Sequence, residues 1–267
     1  MANHALADAE AALRARKLDR TLTTALPPFD CGEVVVAATD VPLLDGCLRG
    51  GVPRGQLSEI AGPPSAGRTT LLLQVLAAAT RRGEIAACID TFDCLDVASV
   101  VSAGVDLERF LWIRGHALTR VSVGRDGLLD RVVERSLKAL NLVLQAGGFG
   151  VVAIDLADVP PHALRRIPFT TWLRVQRTIE GSETACVIVG GQPLARSAGG
   201  LTLSLAGRSQ WTGAAPRSRR LAGLDVTVRI VSPRRRVDGE IVVAATLGDR
   251  ETPRYRGTED PSGVLSR

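Results

Sequence analysis

Residues 55–83 have the sequence GQLSEIAGPPSAGRTTLLLQVLAAATRRG, and this stretch decides the fold of the chain. Its apolar start (residues 56–61) predicts a strand, a Gly/Pro-rich turn follows, and residues 69–82 predict a helix that ends at Gly83. A glycine-rich loop between a strand and a helix is the context that a phosphate-binding P-loop requires. The sequence therefore predicts a P-loop α/β domain.

The loop departs from the usual pattern where a lysine should reach the β- and γ-phosphates, because Arg68 stands at that position. The arginine side chain ends in a wide, planar guanidinium group and the lysine side chain in a compact ammonium group, so the exchange is not conservative. Arg68 can attract phosphate, or it can fill the phosphate site itself by folding toward Asp155. Binding of ATP with Mg²⁺ therefore stays open, and the favoured interpretation is a P-loop kept for its shape, with no cofactor and no metal.

The strand-like run GVVAID (residues 150–155) places a second acidic group near the loop, because Asp155 ends an apolar strand as the carboxylate of a Walker B strand does. The alternative is that Asp155 only caps the next element. The candidate nucleotide-binding residues, described as degenerate, are Gly62, Gly67, Arg68, Thr69, Thr70, Asp155 and Gln192.

Strands and helices alternate around this motif, which predicts a mostly parallel sheet with helices on both faces. Strands are expected at residues 34–37, 85–90, 110–113, 150–155 and 184–190, and helices at 97–102, 126–146 and 163–180, the last interrupted near Pro168. After residue 200, three runs with period-2 alternation predict antiparallel strands. The expected organisation is a separate N-terminal helix and linker (1–26), a core (27–248) and a flexible tail (249–267).

Net charge is +5, but residues 196–256 alone carry 12 Lys/Arg and 5 Asp/Glu, which gives +7. This asymmetry predicts a polyanionic or acidic partner, with a solvated basic face as the alternative. Trp211 is the nearest ring for base stacking, although a tryptophan at a strand end is expected to be core, and Trp172 is expected to pack. The candidate residues for DNA or an acidic partner are Arg217, Arg219, Arg220, Arg234, Arg235 and Arg236.

Several function classes are excluded by what the sequence lacks. Its five cysteines are scattered without a CxxC pair and its three histidines are isolated, so neither a zinc site nor a disulfide framework is expected. No apolar run reaches the roughly 18 residues of a membrane span, and the first residues lack the apolar segment of a secretory signal. We expect a cytoplasmic protein without a membrane partner.

Residues 43–115 resemble bacterial RecA. The resemblance is carried by Gly-Gly-x-Pro-x-Gly at 50–55, the P-loop, the Ile-Asp strand end at 89–90 and Gly-Val-Asp-x-x-Arg at 104–109. It implies a RecA-like core, and it continues more loosely to about residue 247.

This chain differs from that family at positions for which the resemblance implies catalysis, DNA contact and nucleotide binding. The resemblance implies a catalytic Glu where Phe92 stands, and phenylalanine can neither accept a proton nor orient water. Asp93 follows one residue late and is the alternative base. The segments in the place of the two DNA-contacting loops are short (156–168 and 193–198), although Gln192 keeps the place of the family's γ-phosphate-sensing glutamine. Of the basic residues that reach nucleotide across the family's subunit interface, only Arg234 remains.

These combined changes are similar to those of the ImuA family of RecA-fold accessory proteins. The resemblance implies a non-catalytic role in translesion synthesis after DNA damage, with RecA and an ImuB-like, Y-family-like protein as partners. The N-terminal helix, through Leu6, Leu13 and Leu18, is the expected docking element for a RecA-type neighbour or for a homo-oligomer. The alternatives are a divergent DNA-dependent ATPase or recombinase and a basic DNA-binding module.

Overall fold

The structure, a computed structural model, describes residues 35–117, 127–195, 200–213, 218–232 and 240–246. No helix in these ranges is long and apolar enough to cross a bilayer. Several predictions lie outside them: the N-terminal helix with Leu6, Leu13 and Leu18, the tail after residue 248, and four of the basic residues, Arg217, Arg234, Arg235 and Arg236.

One eight-stranded sheet forms the centre of the described chain, with the strand order β10-β9-β8-β3-β7-β6-β4-β5. Its strands are β3 (Leu57–Ala61), β4 (Ile85–Asp90), β5 (Phe110–Arg114), β6 (Phe149–Asp155), β7 (Ala185–Gly190), β8 (Thr202–Thr212), β9 (Arg220–Ser232) and β10 (Glu240–Thr246). A separate pair is formed by β1 (Val36–Ala37) and β2 (Val52–Pro53). All pairs from β8 to β5 are parallel, and β8-β9 and β9-β10 are antiparallel. The predicted α/β class with antiparallel strands toward the C-terminus is confirmed.

Helices cover both faces of this sheet: α1 (Pro42–Cys47), α2 (Arg68–Arg81), α3 (Val97–Ser102), α4 (Leu128–Ala146), α5 (Pro161–Leu164) and α6 (Phe169–Ile179). One apolar cluster lies under α2, with Leu72 and Leu76 at its centre, and a second lies under α4 and α6, with Leu140 and Trp172. Because both faces are buried, β7 is buried along its whole length, as the continuous apolar strands of a parallel sheet require. Trp172 packs as expected.

The segment after β6 is folded against the core. Leu156, Val159 and Leu164 are buried between the strand end and α5. Pro168 then starts α6 from an extended backbone, which explains why the helix predicted over 163–180 is split in two. The described chain therefore holds a compact turn where the family resemblance places the first DNA-contacting loop.

The last three strands differ from expectation in two respects. We expected them to extend the sheet as antiparallel hairpins, and β8 in addition joins β3 in parallel, through Thr202, Leu203 and Ser204. Beyond Ser204 the only described strand that pairs with β8 is β9, and from Ala206 outward the residues of β8 are exposed. The core prediction for Trp211 is therefore wrong: this residue is 57% exposed, because it lies past the part of the sheet that helices cover.

Candidate functional site

The P-loop lies at the edge of the sheet where the parallel strands end. Ala61 is in register with Gly190 on β7, and Asp155 on β6 is in register with Asp90 on β4. The Gly62 N–H donates to the Gly190 carbonyl at 3.2 Å, so the first residue of the loop is tied to the neighbouring strand. Ligands of open α/β sheets bind beyond these carboxyl ends. The predicted grouping of the P-loop with Asp155 is thus seen in the described chain.

The β8–β9 hairpin packs directly on the P-loop. Gly67 has φ +87°, and a Cβ atom there would lie 2.5 Å from Val226 Cγ2. A Cβ at Gly62 would lie 2.6 Å from the Leu205 carbonyl oxygen, and one at Gly207 would overlap the carbonyl of Ser65. These glycines therefore allow a close approach of backbone to backbone, in addition to any phosphate binding.

Arg68 is the first residue of α2 and is only 8% exposed. Its Nη1 atom has no hydrogen-bond partner among the described residues, and a Cβ at Gly191 would lie 3.9 Å from it. The guanidinium thus lies beside the strand end of β7 at the helix N-terminus, where backbone N–H groups and the helix dipole favour an anion. Thr69 and Thr70 are exposed beside it. Arg68, Thr69 and the loop backbone are the groups that could hold a phosphate.

Asp155 has a capping role, the alternative that the sequence left open, and its role toward a metal shell stays a prediction. Its Oδ1 accepts a hydrogen bond from the Ala157 N–H at 2.8 Å, so the carboxylate caps the turn after β6. The pKa of Asp155 is raised to about 6: burial is the largest cause, Asp158 and Asp90 also raise it, and the Ala157 N–H and the Arg68 guanidinium oppose the rise. The charge of Arg68 therefore acts on the Asp155 carboxyl.

Replacing Asp155 by asparagine is expected to stabilise the fold at pH 8 and not at pH 4. Because the folded-state pKa is raised, the native state binds a proton that the unfolded chain has lost between pH 4 and 6, and the free energy of unfolding falls as pH rises through that window. Asparagine removes this penalty, which is about 2–3 kcal/mol above pH 6. Urea unfolding of both proteins across pH 4–8 measures the difference.

Asp96→Asn is the matched control for this experiment, with the opposite sign. Asp96 caps α3, and hydrogen bonds from the Ser99 hydroxyl and N–H lower the pKa of its carboxyl. Its contribution is present above the unfolded pKa and is lost as pH falls, so Asp96→Asn should destabilise at pH 8. A gain for Asp155→Asn that is equal at pH 4 and pH 8 would contradict the raised pKa.

The two carboxylates that flank Phe92 in the sequence, Asp90 and Asp93, are both engaged in hydrogen bonds. Phe92 is partly buried against the apolar cluster under α4 and α6. Asp93 accepts two hydrogen bonds from Arg114, both at 2.7 Å, and this pairing lowers the pKa of its carboxyl. Asp90 accepts from the Cys94 and Leu95 N–H groups and from the Trp112 indole N–H. The alternative base Asp93 is therefore held at β5, the far edge of the sheet.

Glu59 is the residue that sequence reasoning missed. It lies on β3, is 2% exposed, and its carboxylate accepts hydrogen bonds from the Leu194 and Ala195 N–H groups at 2.6 and 2.7 Å. It therefore holds the segment that leaves β7 against the sheet, two residues after the exposed Gln192. The signal was available, because Glu59 is the only charged residue in the otherwise apolar or small run LSEIA.

Of the six predicted basic residues, the structure describes only Arg219 and Arg220. Arg219 and Arg220 are exposed at the start of β9, at the outer end of the hairpin. They are described together with Arg208, which sequence reasoning did not name and which is exposed on the facing strand. The structure thus separates a P-loop site from an arginine-bearing hairpin end.

The strand order and the P-loop between β3 and α2 define the class: a P-loop domain with a RecA-like core. Residues 32–124 match the model of the RecA N-terminal domain family. Relatives include "Protein RecA" of a Nitratiruptor species, 42% identical over 97 residues (34% of this chain, 28% of that protein). The RecA proteins of a Synechococcus species and of Nitratidesulfovibrio vulgaris are 42% and 36% identical, over 49% and 52% of this chain and 30% and 39% of theirs. The chain spans about a third of the length of the curated relatives it matches.

Proposed function

We propose that this chain is a RecA-like accessory protein of the DNA damage response, which acts by binding other proteins and does not depend on ATP turnover. Its partners in this proposal are RecA and an ImuB-like, Y-family-like polymerase protein in translesion synthesis, the role expected of the ImuA family. Its place is the cytoplasm, where those partners work.

The proposal rests on the two residues at the position where a P-loop ATPase holds its catalytic base. Phe92 packs against the core, and the neighbouring Asp93 is engaged by Arg114 through both carboxylate oxygens. A water molecule at a γ-phosphate would therefore meet no free carboxylate from this segment, and general-base catalysis contributes about 10²–10⁴-fold to a rate. Asp155 remains near Arg68, but it has the role of a metal-shell ligand in P-loop enzymes and not that of the base.

A second line of support comes from the segments that follow β6 and β7. The first is packed as a short turn and helix, with Leu156 and Leu164 buried, and the second is fastened at Leu194 and Ala195 by Glu59. Segments that are held in this way suit a scaffold with a fixed surface better than loops that order on DNA during each ATP cycle.

ATP turnover is therefore expected to be at least about 100-fold below that of a RecA protein assayed in parallel, with and without single-stranded DNA. The measurement is phosphate release by the purified full chain. The double variant Arg68→Lys/Phe92→Glu restores both family residues and is expected to exceed the wild type. Turnover that DNA stimulates in the wild type and that Asp155→Ala abolishes would overturn the proposal in favour of a divergent recombinase.

Binding is the positive arm of the same test. The proposal expects the full chain to bind purified RecA in a pull-down that survives raised salt, since an apolar docking contact is screened less than an ion-pair contact. If the chain releases RecA at moderate salt and also shows no ATP turnover, this result would contradict the proposed adaptor role.

A further inference from the structure

The outer end of the β8–β9 hairpin extends beyond every other strand of the described sheet. We define the hairpin tip as residues 208–213 and 218–222. On its other side β9 is covered by β10 only from Gly223 to Arg229, and β8 is covered by β3 only up to Ser204. Within the described chain the tip is therefore a two-stranded ribbon, and all of its described residues except Ala222 are exposed.

An unusual apolar surface lies on this ribbon. Trp211 is in register with Leu221 on the facing strand, so the two side chains share one face, and both are exposed. The other two tryptophans are placed differently: Trp172 is buried, and Trp112 is partly covered and donates its indole N–H to Asp90. Trp211 thus presents a ring that no described helix or strand covers.

The charge around this ring has one sign. Residues 204–222 contain four arginines, Arg208, Arg217, Arg219 and Arg220, and no Asp or Glu. The three described ones, Arg208, Arg219 and Arg220, are exposed and form no ion pair within the described residues. The next carboxylate along β9, Asp225, is in register with Arg208 and accepts a hydrogen bond from the Gln210 amide at 2.7 Å.

We propose that the hairpin tip binds single-stranded nucleic acid. A base stacks on the Trp211 ring beside Leu221, and Arg208, Arg219 and Arg220 contact the flanking phosphates. Every base has a π-face that stacks on an indole, and guanidinium groups suit phosphate, so an exposed tryptophan among exposed arginines is complementary to a single strand. A duplex keeps its bases stacked inside and cannot use the ring in this way. The inference does not depend on the state of the P-loop.

The test is fluorescence anisotropy of a labelled oligothymidylate with the full chain, without nucleotide. The wild type is expected to bind at low salt, with log affinity falling against log salt with a slope of about −2 for three phosphate contacts on a single strand. Trp211→Ala is expected to lower the affinity by about tenfold. An abasic strand of equal length is expected to lose a similar factor, and Arg219→Gln/Arg220→Gln to flatten the slope.

Two controls distinguish the loss of the Trp211 ring from the loss of any exposed apolar side chain and from unfolding. Leu142→Ala removes another exposed apolar side chain, 67% exposed on α4, and should leave the affinity unchanged. Circular dichroism melting verifies that the tip variants stay folded, and Leu221→Ala gives a second, smaller reduction of affinity. Three results would each overturn the proposal: no oligonucleotide binding at low salt, Trp211→Ala binding as tightly as the wild type, or the abasic strand binding as tightly as thymidylate. RecA binding that falls in Trp211→Ala while oligonucleotide binding is unchanged would identify the tip as a protein surface instead.

Discussion

Replacing Asp90 by alanine is expected to lower the free energy of unfolding by about 3 kcal/mol or more. The carboxylate is 3% exposed and accepts three hydrogen bonds, from the Cys94 N–H at 3.0 Å, the Leu95 N–H at 2.8 Å and the Trp112 indole at 3.3 Å. Alanine would leave these donors without a partner in a partly buried place, at a cost of about 1–3 kcal/mol for each fully desolvated group. Urea unfolding followed by circular dichroism gives the value.

The contrast with Asp96 makes this prediction specific. Asp96 also accepts hydrogen bonds from a backbone N–H and a hydroxyl, but it is exposed, so Asp96→Ala should cost clearly less than Asp90→Ala, as for an ordinary helix cap. Equal costs for the two alanine variants would show that the Asp90 network does not organise the turn that carries Phe92. The turn carries Phe92, which stands at the position where the resemblance to RecA implies a catalytic glutamate.

Replacing Glu59 by alanine should have an effect of similar size, about 3 kcal/mol, for a different reason. The carboxylate joins the Leu194 and Ala195 N–H groups to β3, and these residues belong to the connection that passes from β7 to β8 on the other side of β3. Without Glu59, one buried and one partly buried donor lose their acceptor and the connection loses its attachment to the sheet. Limited proteolysis should then cut between residues 191 and 201 much faster than in the wild type.

Glu59→Gln is the matched control, because glutamine keeps one acceptor oxygen and the same volume. It should recover about half of the lost stability and most of the protection from proteolysis. Faster cleavage elsewhere in the chain, with the 191–201 connection still protected, would contradict the role assigned to Glu59.

Much of the fold followed from local patterns. The continuous apolar strands, the P-loop between β3 and α2 and the break at Pro168 are each encoded within a few neighbouring residues, and the structure confirms them. Asp155 was likewise placed by the apolar strand that it ends.

What could not be predicted depends on pairing between distant segments. Whether Trp211 is buried or exposed depends on where the pairing of β8 with β3 and of β9 with β10 ends. The residues around the tryptophan do not predict either end. The parallel entry of β8 and the bond from Glu59 to residues 194 and 195 also join segments more than 100 residues apart. The family resemblance indicated that Phe92 replaces a base, but only the packing shows that Asp93 turns to Arg114.

The close contact between the hairpin and the P-loop bears on how such a motif is inherited. Gly62 and Gly67 each face Leu205 or Val226 at a distance that leaves no room for a side chain. A descendant that gave up ATP would still be penalised for replacing either glycine, because the misfolded variants would be removed by selection for folding alone. The glycine pattern of the loop can therefore be kept by selection for folding alone, independently of phosphate binding.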